Sequence, residues 1–478
     1  MAEQPIASRV FTMADQALFA ALSGDRNPMH MDALAARRTQ AGAPVVHGVH
    51  AVLWSLEALC SAGIRFDALT SAKVRFERFV YLDREVTLRI VRRDNASLKL
   101  EVADDGLPLL SVTLKFGERG VAEAPAEARD VSPTECSVPE TPPFQAMGEL
   151  SGRLVSPASD EAFQVQFPSL SEALDARRIS AMALLSTLVG MVCPGLHSIF
   201  SAFSVQFVAG DCVPGLTFRT IRADGRFRMV TMAFSGWGAR GEVVAFARRE
   251  PVAPPSMDSL VKRVGPTEFA EVSALVVGGS RGLGAAAAKL ITAGGGRVTI
   301  SYARGQLEAE RLQQEIVKAR GPQACRVIHL DVNDLPAEAL AGSTAPFNQL
   351  YYFATPQIFR QKSEVFSSNV YREFSKLYVE AFYSLVEQLQ ARSDDCLAVF
   401  YPSSVAVAER PRGLTEYAMA KAAGEILCSD LQRGDGRLRI IVARIPRTTT
   451  DQTSTIMPVE SADPVDVLLP MVREMCRR

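Results

Sequence analysis

Charge of one sign is missing from this chain: 52 Lys and Arg stand against 53 Asp and Glu, a formal net charge of -1. No electrostatic draw to nucleic acid or anionic lipid is therefore expected, which leaves small molecules or proteins as partners. Cys-x-x-Cys spacing is missing too. The eight cysteines run from Cys60 to Cys476 beside apolar neighbours such as Leu59 and Leu427. That pattern excludes a disulfide or zinc framework, predicts no metal site, and reads as packing thiols in a reducing compartment. No run reaches the ~18 apolar residues of a membrane span, and Met1 to Val10 contain no apolar signal core, so a soluble cytoplasmic protein is expected. With 47% apolar and 22% charged residues, disorder is not indicated either.

What is present is length. At 478 residues the chain exceeds one ordinary core, and roughly three domains are expected. Proline and alanine without periodicity between Gly120 and Pro143, and the cluster Pro251, Pro254, Pro255, mark connectors. The resulting division is 1–120, a linker at 121–145, 146–252, a linker at 253–270, and 271–478. The first two segments share an order of elements, an apolar helix followed by alternating strand-like runs. In the first, the helix is Val49 to Cys60 and strands start near Ala72, Glu85 and Ser97. In the second, the helix is Ile179 to Val192 and strands start near Ser201, Leu216 and Phe227. Two α+β units, each wrapping a sheet around a long helix, are predicted. The last segment alternates strand (274–277), Gly-rich turn, helix, strand (297–302), helix and strand (325–330), which predicts a parallel sheet covered on both faces.

Two motifs carry chemistry. The first is Ser23-Gly24-Asp25-Arg26-Asn27-Pro28-Met29-His30, with Asp32 following and then Pro44-Val45-Val46-His47-Gly48. Ser, Gly, Asp, Asn and Pro all favour turns and caps, so the string alone reads equally well as a turn. A carboxylate and an imidazole facing one small volume could give and take protons, and a backbone amide at a helix start could hold a developing oxyanion. Over about the first 120 residues the pattern resembles the MaoC-like (R)-specific enoyl-thioester hydratases, which have the hotdog fold. The resemblance implies that Asp25 and His30 hold a water and shuttle protons to C2 of an acyl thioester. It also implies that the Gly48 amide, beside His47, receives the thioester oxygen, that Asn27 orients the pair, and that Asp32 supports the loop. The second segment lacks this string but has Pro194-Gly195-Leu196-His197-Ser198 after its helix. It reads as a degenerate half that completes a double hotdog and shapes the acyl tunnel, with His197 structural. His50 and His329 read as packed or surface residues.

The second motif is Gly278-Gly279-Ser280-Arg281-Gly282-Leu283-Gly284 between a strand and an Ala-rich helix, with Ser404, Tyr417 and Lys421 downstream. A glycine turn of this kind lets a diphosphate approach backbone amides. Over residues 272–478 the set resembles the short-chain dehydrogenase/reductase family, above all its 3-oxoacyl thioester reductases. A doubly wound Rossmann fold follows from that resemblance, as do a substrate contact at Ser404, proton donation by Tyr417, and a Lys421 that lowers the tyrosine pKa and binds ribose. Asp331 and Val332 correspond to the adenine side, and Ala354 falls in the stretch that replaces the family's Asn-Asn-Ala-Gly. Arg281 and Arg304, with no acid at the end of the second strand, favour NADP(H) over NAD. There are departures: Phe353-Ala354-Thr355-Pro356, Val277 at the motif start, Glu380 for the relay asparagine, and Pro446-Arg447 for Pro-Gly.

Together the motifs predict a fused NADPH-dependent 3-oxoacyl thioester reductase and 3-hydroxyacyl thioester dehydratase for chain assembly, acting on coenzyme A or acyl carrier protein thioesters as a homodimer. Two alternatives stay open. One is a catabolic hydratase and 3-hydroxyacyl dehydrogenase; the other is a dehydratase joined to an inactive reductase-like scaffold.

Overall fold

In the computed structural model, the described residues are 5–120, 137–209, 215–250, 255–334, 346–356, 358, 365–434, 436–448 and 461–477. The chain divides after Glu250 into two compact units.

The first unit opens with β1 (Ala7–Val10), α1 (Met13–Ser23), α2 (Pro28–Met31), α3 (Ala33–Arg37) and α4 (Gly48–Ser61), then β2 (Leu69–Phe76), β3 (Glu85–Arg93), β4 (Ser97–Asp104) and β5 (Leu107–Phe116). After β6 (Ser151–Leu154) come α5 (Asp160–Gln166), α6 (Pro168–Leu174) and α7 (Ala176–Thr187). The unit closes with β7 (Ser198–Phe207), β8 (Leu216–Asp224), β9 (Met229–Gly236) and β10 (Ala239–Ala247). One ten-stranded antiparallel sheet results, in the order β1-β3-β4-β5-β2-β7-β10-β9-β8-β6. Read outward from its centre, the order is the same twice: β2-β5-β4-β3-β1 on one side and β7-β10-β9-β8-β6 on the other. The duplicated element order of the sequence is thus a duplicated structure, joined where β2 pairs with β7 through Val74↔Phe203 and Ala72↔Val205.

Alternation explains the sheet. Along β9 every second residue is buried, so one face meets the core. The helices α4 and α7 are buried on nearly all sides, with Val49, Val52, Leu53 and Leu56 in α4 and Ile179, Met182 and Leu185 in α7 fully enclosed. They pack on each other. A truncation such as Leu53→Ala would cost ~2–5 kcal/mol.

The second unit contains α8 (Met257–Val261), β11 (Ser273–Val277), α9 (Gly282–Ala293), β12 (Arg297–Tyr302), α10 (Gln306–Arg320), β13 (Cys325–His329), β14 (Gln349–Tyr352), α11 (Ser368–Ser375) and α12 (Ala381–Gln390). It ends with β15 (Leu397–Ser404), α13 (Ala406–Glu409), α14 (Thr415–Gly434), β16 (Leu438–Ile445) and α15 (Pro464–Met475). Its six strands are all parallel and ordered β13-β12-β11-β14-β15-β16. Successive residues of β11 enter different cores. Ala274 and Val276 join side chains of α9, α10 and α15, while Leu275 and Val277 join those of α11, α12 and α14. Both faces of the sheet are therefore covered, as parallel sheets require.

Both stretches read as linkers hold more structure than their composition predicts. Within 121–145, the Glu140 N–H donates to the Met191 carbonyl and its carbonyl accepts from Leu196, which ties this strap to the second half. Within 253–270, Met257, Leu260 and Phe269 are buried in the core of the second unit. In both stretches the described residues are thus anchored to their units, the second through helix α8 and Phe269. Among the described residues no helix is long and apolar enough to cross a membrane.

Candidate functional site

The loop after α1 is shaped by its own residues. Gly24 ends the helix at φ 86°, a left-handed cap that glycine adopts without steric cost. The Ser23 hydroxyl then accepts from the Asp25 N–H at 3.1 Å. Asn27 caps α2 by accepting from the Met29 N–H at 3.0 Å, and Pro28 occupies the first helical position, where no amide hydrogen is needed.

These turns bring together Asp25, His30, His47 and Gly48. All three side chains are buried, Asp25 at 1% exposure and His47 at 0%. Nδ1 of His30 lies 2.7 Å from the Val45 carbonyl, which can only accept, so Nδ1 carries a hydrogen and Nε2 is the ring atom left for proton transfer. The His47 ring stacks on His30 with centroids 4.0 Å apart, and its Nε2 donates to the Asp25 carbonyl at 3.0 Å. Burial pushes His47 well below the ordinary imidazole range, with His30 and His50 adding to the effect. Burial drives the Asp25 carboxyl up, while His30, the Ser186 hydroxyl and the Asn27 amide oppose it; burial wins. Ligand-type atoms of Asp25, His30 and His47 lie within 4.8 Å of one another. Two of these groups are already committed inside the protein, His47 Nε2 to the Asp25 carbonyl and Asp25 Oδ2 to Ser186.

Asp25, His30 and Gly48 line one cleft of ≈ 60 Å³, walled by Phe76 and Phe200. Gly48 opens α4, and a Cβ there would fall 2.7 Å from the Phe76 ring. Its amide belongs to the first helical turn, which has no intrahelical acceptor. A proton-donating and proton-accepting pair, a bare amide and an apolar wall thus share one small volume. His50, read as a packed residue, is stacked on Phe19 at 4.8 Å. His329 is exposed, and His197 is half-buried on the turn before β7.

Much of the support for this loop comes from residues that sequence reasoning missed. Ser186 donates to Asp25 Oδ2 at 2.6 Å, and Thr187 donates to the Ser23 carbonyl at 2.5 Å. The Asn27 side-chain amide donates to the carbonyls of Gly190 at 2.8 Å and Gly195 at 3.2 Å. Beyond α7 the helix continues as a π turn over Leu188–Val192, a distortion often found at functional positions. A serine, a threonine and a glycine in an apolar helix carry no recognisable signal in one sequence. The only available hint was the Pro-Gly after that helix.

In the second unit the glycine turn is a backbone necessity. Gly278 has φ 71°, and a Cβ on it would sit 2.9 Å from the Phe353 carbonyl group and the Ala354 nitrogen. A Cβ on Gly284 would lie 2.4 Å from the Gly278 carbonyl oxygen. With Gly282 at φ 56°, the turn delivers the start of α9, where Gly282, Leu283 and Gly284 present first-turn amides. A closely packed turn feeding bare amides fits a diphosphate. Around it Ser280, Arg281 and Ala354 are half-buried, and Arg304 is exposed two residues after β12. Asp331 follows β13 and accepts from the Asn333 N–H at 3.0 Å, and Val332 beside it is buried.

Ser404 ends β15, and Tyr417 and Lys421 lie one turn apart on α14. Burial raises the Tyr417 hydroxyl pKa, and a hydrogen bond with Ser404 opposes that rise. Lys421 departs from expectation. Its ammonium donates to the Pro402 carbonyl at 2.6 Å and lies 3.8 Å from the centre of the Tyr378 ring and 4.9 Å from that of Tyr401. Burial pulls it down to about 7. Burial and the Ser404 bond are thus the two influences seen on Tyr417. Glu380, assigned to the relay position, is exposed, and the side chain that meets Lys421 is Tyr378, whose hydroxyl is 2.5 Å from that of Thr355.

Residues 2–105 match the family described as MaoC like domain. No curated protein matches the chain. The chain is structurally similar to a short chain dehydrogenase from Salmonella enterica serovar Typhi at 21% identity, covering 43% of this chain and 89% of that one, TM-score 0.38. It is likewise similar to a dehydrogenase/reductase from Sinorhizobium meliloti 1021 at 21% identity, covering 46% and 92%, TM-score 0.38. A third is FolM Alternative dihydrofolate reductase 1 from Brucella suis, solved in complex with NADP, at 19% identity, covering 38% and 73%, TM-score 0.34. The chain thus joins a MaoC-like dehydratase domain to a part similar to short-chain dehydrogenases.

Proposed function

We propose that this chain is a fused enzyme of acyl-chain assembly: the second unit reduces a 3-oxoacyl thioester with NADPH, and the first, a double hotdog, removes water from the 3-hydroxyacyl thioester so formed. The observation that carries the proposal is the convergence of the Asp25 carboxyl, Nε2 of His30 and the Gly48 amide on one cleft. We place it in the cytoplasm as a homodimer, with coenzyme A or an acyl carrier protein bearing the acyl group.

Dehydration needs one group to remove the C2 proton and another to protonate the departing C3 hydroxyl. Asp25 and His30 can do both if they share one proton. The C2–H bond breaks toward the unprotonated member, the C3–O bond breaks as the other delivers its proton, and water leaves behind a C2=C3 double bond. Charge collecting on the thioester oxygen meets the Gly48 amide, aided by the helix start behind it. His47 is held neutral and supports the His30 ring from beneath.

The strand order and glycine turn of the second unit support a doubly wound Rossmann fold. Gly278, Ser280, Arg281, Gly282, Leu283 and Gly284 would hold the dinucleotide's diphosphate, and Asp331, Val332 and Ala354 its adenine side. Arg281 and Arg304 would meet a 2'-phosphate. When bound, NADPH supplies the hydride. Ser404 then holds the substrate oxygen by hydrogen bond, Tyr417 gives its hydroxyl proton to the alkoxide, and Lys421 binds the ribose.

The turn of Lys421 toward Pro402 and Tyr378 favours a second reading, a unit that binds nucleotide without turnover. Mass spectrometry decides between them, using purified chain, NADPH and a short 3-oxoacyl pantetheine thioester. Enoyl product from the parent chain is expected, with Asp25→Asn stopping at the 3-hydroxy species and Tyr417→Phe leaving substrate untouched. Turnover confined to preformed 3-hydroxyacyl or enoyl thioester would make the second unit either a scaffold or a reductase of a different carbonyl. Faster turnover with NADH than with NADPH would count against a synthetic role and for a catabolic one.

A further inference from the structure

The half of the first unit without the Asp-x-Asn-x-x-His string contributes directly to the cleft. Its α7 carries a hydroxyl, Ser186, that is 4% exposed and donates to Asp25 Oδ2 at 2.6 Å. A serine inside a helix ordinarily returns its hydrogen to the carbonyl four residues back. Ser55 in α4 does this, donating to the Ala51 carbonyl at 2.7 Å. Ser186 donates instead to a carboxylate oxygen 161 positions away in sequence. Four residues further on, in the π turn, Gly190 leaves the space that Asp25 fills. A Cβ there would lie 2.5 Å from Oδ1 and 2.7 Å from Oδ2, inside van der Waals contact. The remaining oxygen, Oδ1, accepts from the Asn27 N–H at 3.0 Å, and Asn27 is in turn anchored on the Gly190 carbonyl.

We propose that Ser186 and Gly190 form a seat in the second half that positions Asp25 for dehydration, Ser186 by its hydroxyl and Gly190 by having no side chain. Both are positioning residues, and the inference rests on the dehydration reading of the cleft. The degenerate half is then an essential part of a single active site. That half then acts on the cleft through Ser186 and Gly190 and not through an acid–imidazole pair of its own. Burial raises the Asp25 carboxyl, and the Ser186 bond is one of the few forces holding it down. Its loss should therefore move the first ionisation of the Asp25–His30 pair upward.

The test uses the full-length chain with a short enoyl pantetheine thioester and follows hydration against pH. Ser186→Ala should shift the acid limb of kcat/KM up by about one pH unit, lowering the rate roughly tenfold on that limb. Ser186→Thr keeps the hydroxyl and should restore most of the parent profile. Gly190→Ala should lower kcat about a hundredfold with little change in KM, since a carboxylate displaced by about 1 Å loses alignment while substrate binding is untouched. An unmoved acid limb in Ser186→Ala would overturn the proposal, as would a Thr variant no better than Ala. Carbon-13 NMR titration of the Asp25 carboxyl in the same variants separates this inference from the function it rests on. If the parent chain shows no hydration, the dehydration reading fails, and an unchanged Asp25 titration in Ser186→Ala would sink the seat as well. An upward shift would preserve the seat without the activity.

Discussion

Asn27 joins the two halves of the first unit, and its removal has a cost that can be worked out in advance. The side chain is 2% exposed and serves three ends: Oδ1 caps α2, and Nδ2 donates to the carbonyls of Gly190 and Gly195. Asn27→Ala loses the cap, worth ~1 kcal/mol. It also orphans two buried acceptors at ~1–3 kcal/mol each, nearer the lower figure because water can reach them through the adjoining cleft. The sum is about 3 kcal/mol. Both tryptophans of the chain, Trp54 and Trp237, lie in the first unit, so their fluorescence in urea reports this unit alone. With a urea dependence of ~2–3 kcal/mol per molar for a unit of this size, the midpoint should fall by about 1 M. Asn27→Asp is the sharper variant. It keeps the cap but aims a carboxylate at carbonyl oxygens beside Asp25, and it should be at least as destabilised as the alanine. A midpoint within ~0.3 M of the parent for either variant would refute the assignment of Asn27 as the tie between the halves.

Three further outcomes are expected. Burial lowers His50 from 6.5 to about 3, so between those values the unfolded chain binds more protons and stability falls as pH drops. His50→Phe should reduce the stability lost between pH 7.5 and 5 by about 2 kcal/mol, measured by urea midpoints at both pH values. Lys421, lowered from 10.5 to about 7, makes stability rise with pH across that window. Lys421→Met should stabilise the second unit at pH 6 by about 2 kcal/mol, after ~1 for the lost attraction to the tyrosine rings and ~1–3 for the Pro402 carbonyl left without its donor, and the gain should vanish below pH ~10.5 in thermal unfolding. Gly284→Ala places a methyl 2.4 Å from the Gly278 oxygen, and should weaken NADPH binding at least ~10-fold by fluorescence titration.

Local features were legible because they are local. The strands expected at 274–277, 297–302 and 325–330 are β11, β12 and β13, since apolar runs bounded by turn residues commit to strands whatever the rest of the chain does. The loop from Ser23 to His30 was readable for the same reason: its turn, cap and proline each act within a few residues. The register of the helix before α12 was not readable. Resemblance assigned the relay position to Glu380, which is exposed, whereas Tyr378, in the π turn over Lys376–Glu380, is the side chain that meets Lys421.

By itself the sequence determined which residues could do proton chemistry, where glycine was obligatory, and that two units of like element order precede a parallel sheet. Tertiary structure alone decided what holds those residues in place. Ser186, Thr187 and Gly190 reach Asp25 and Ser23 across more than 160 positions only because β2 pairs with β7 and brings α7 against the Asp25 loop. The same holds for Lys421, whose burial against Pro402, Tyr378 and Tyr401 depends on three separate elements meeting. Burial and long-range hydrogen bonds set the charge of a group, and neither is a property of the residues beside it in the chain.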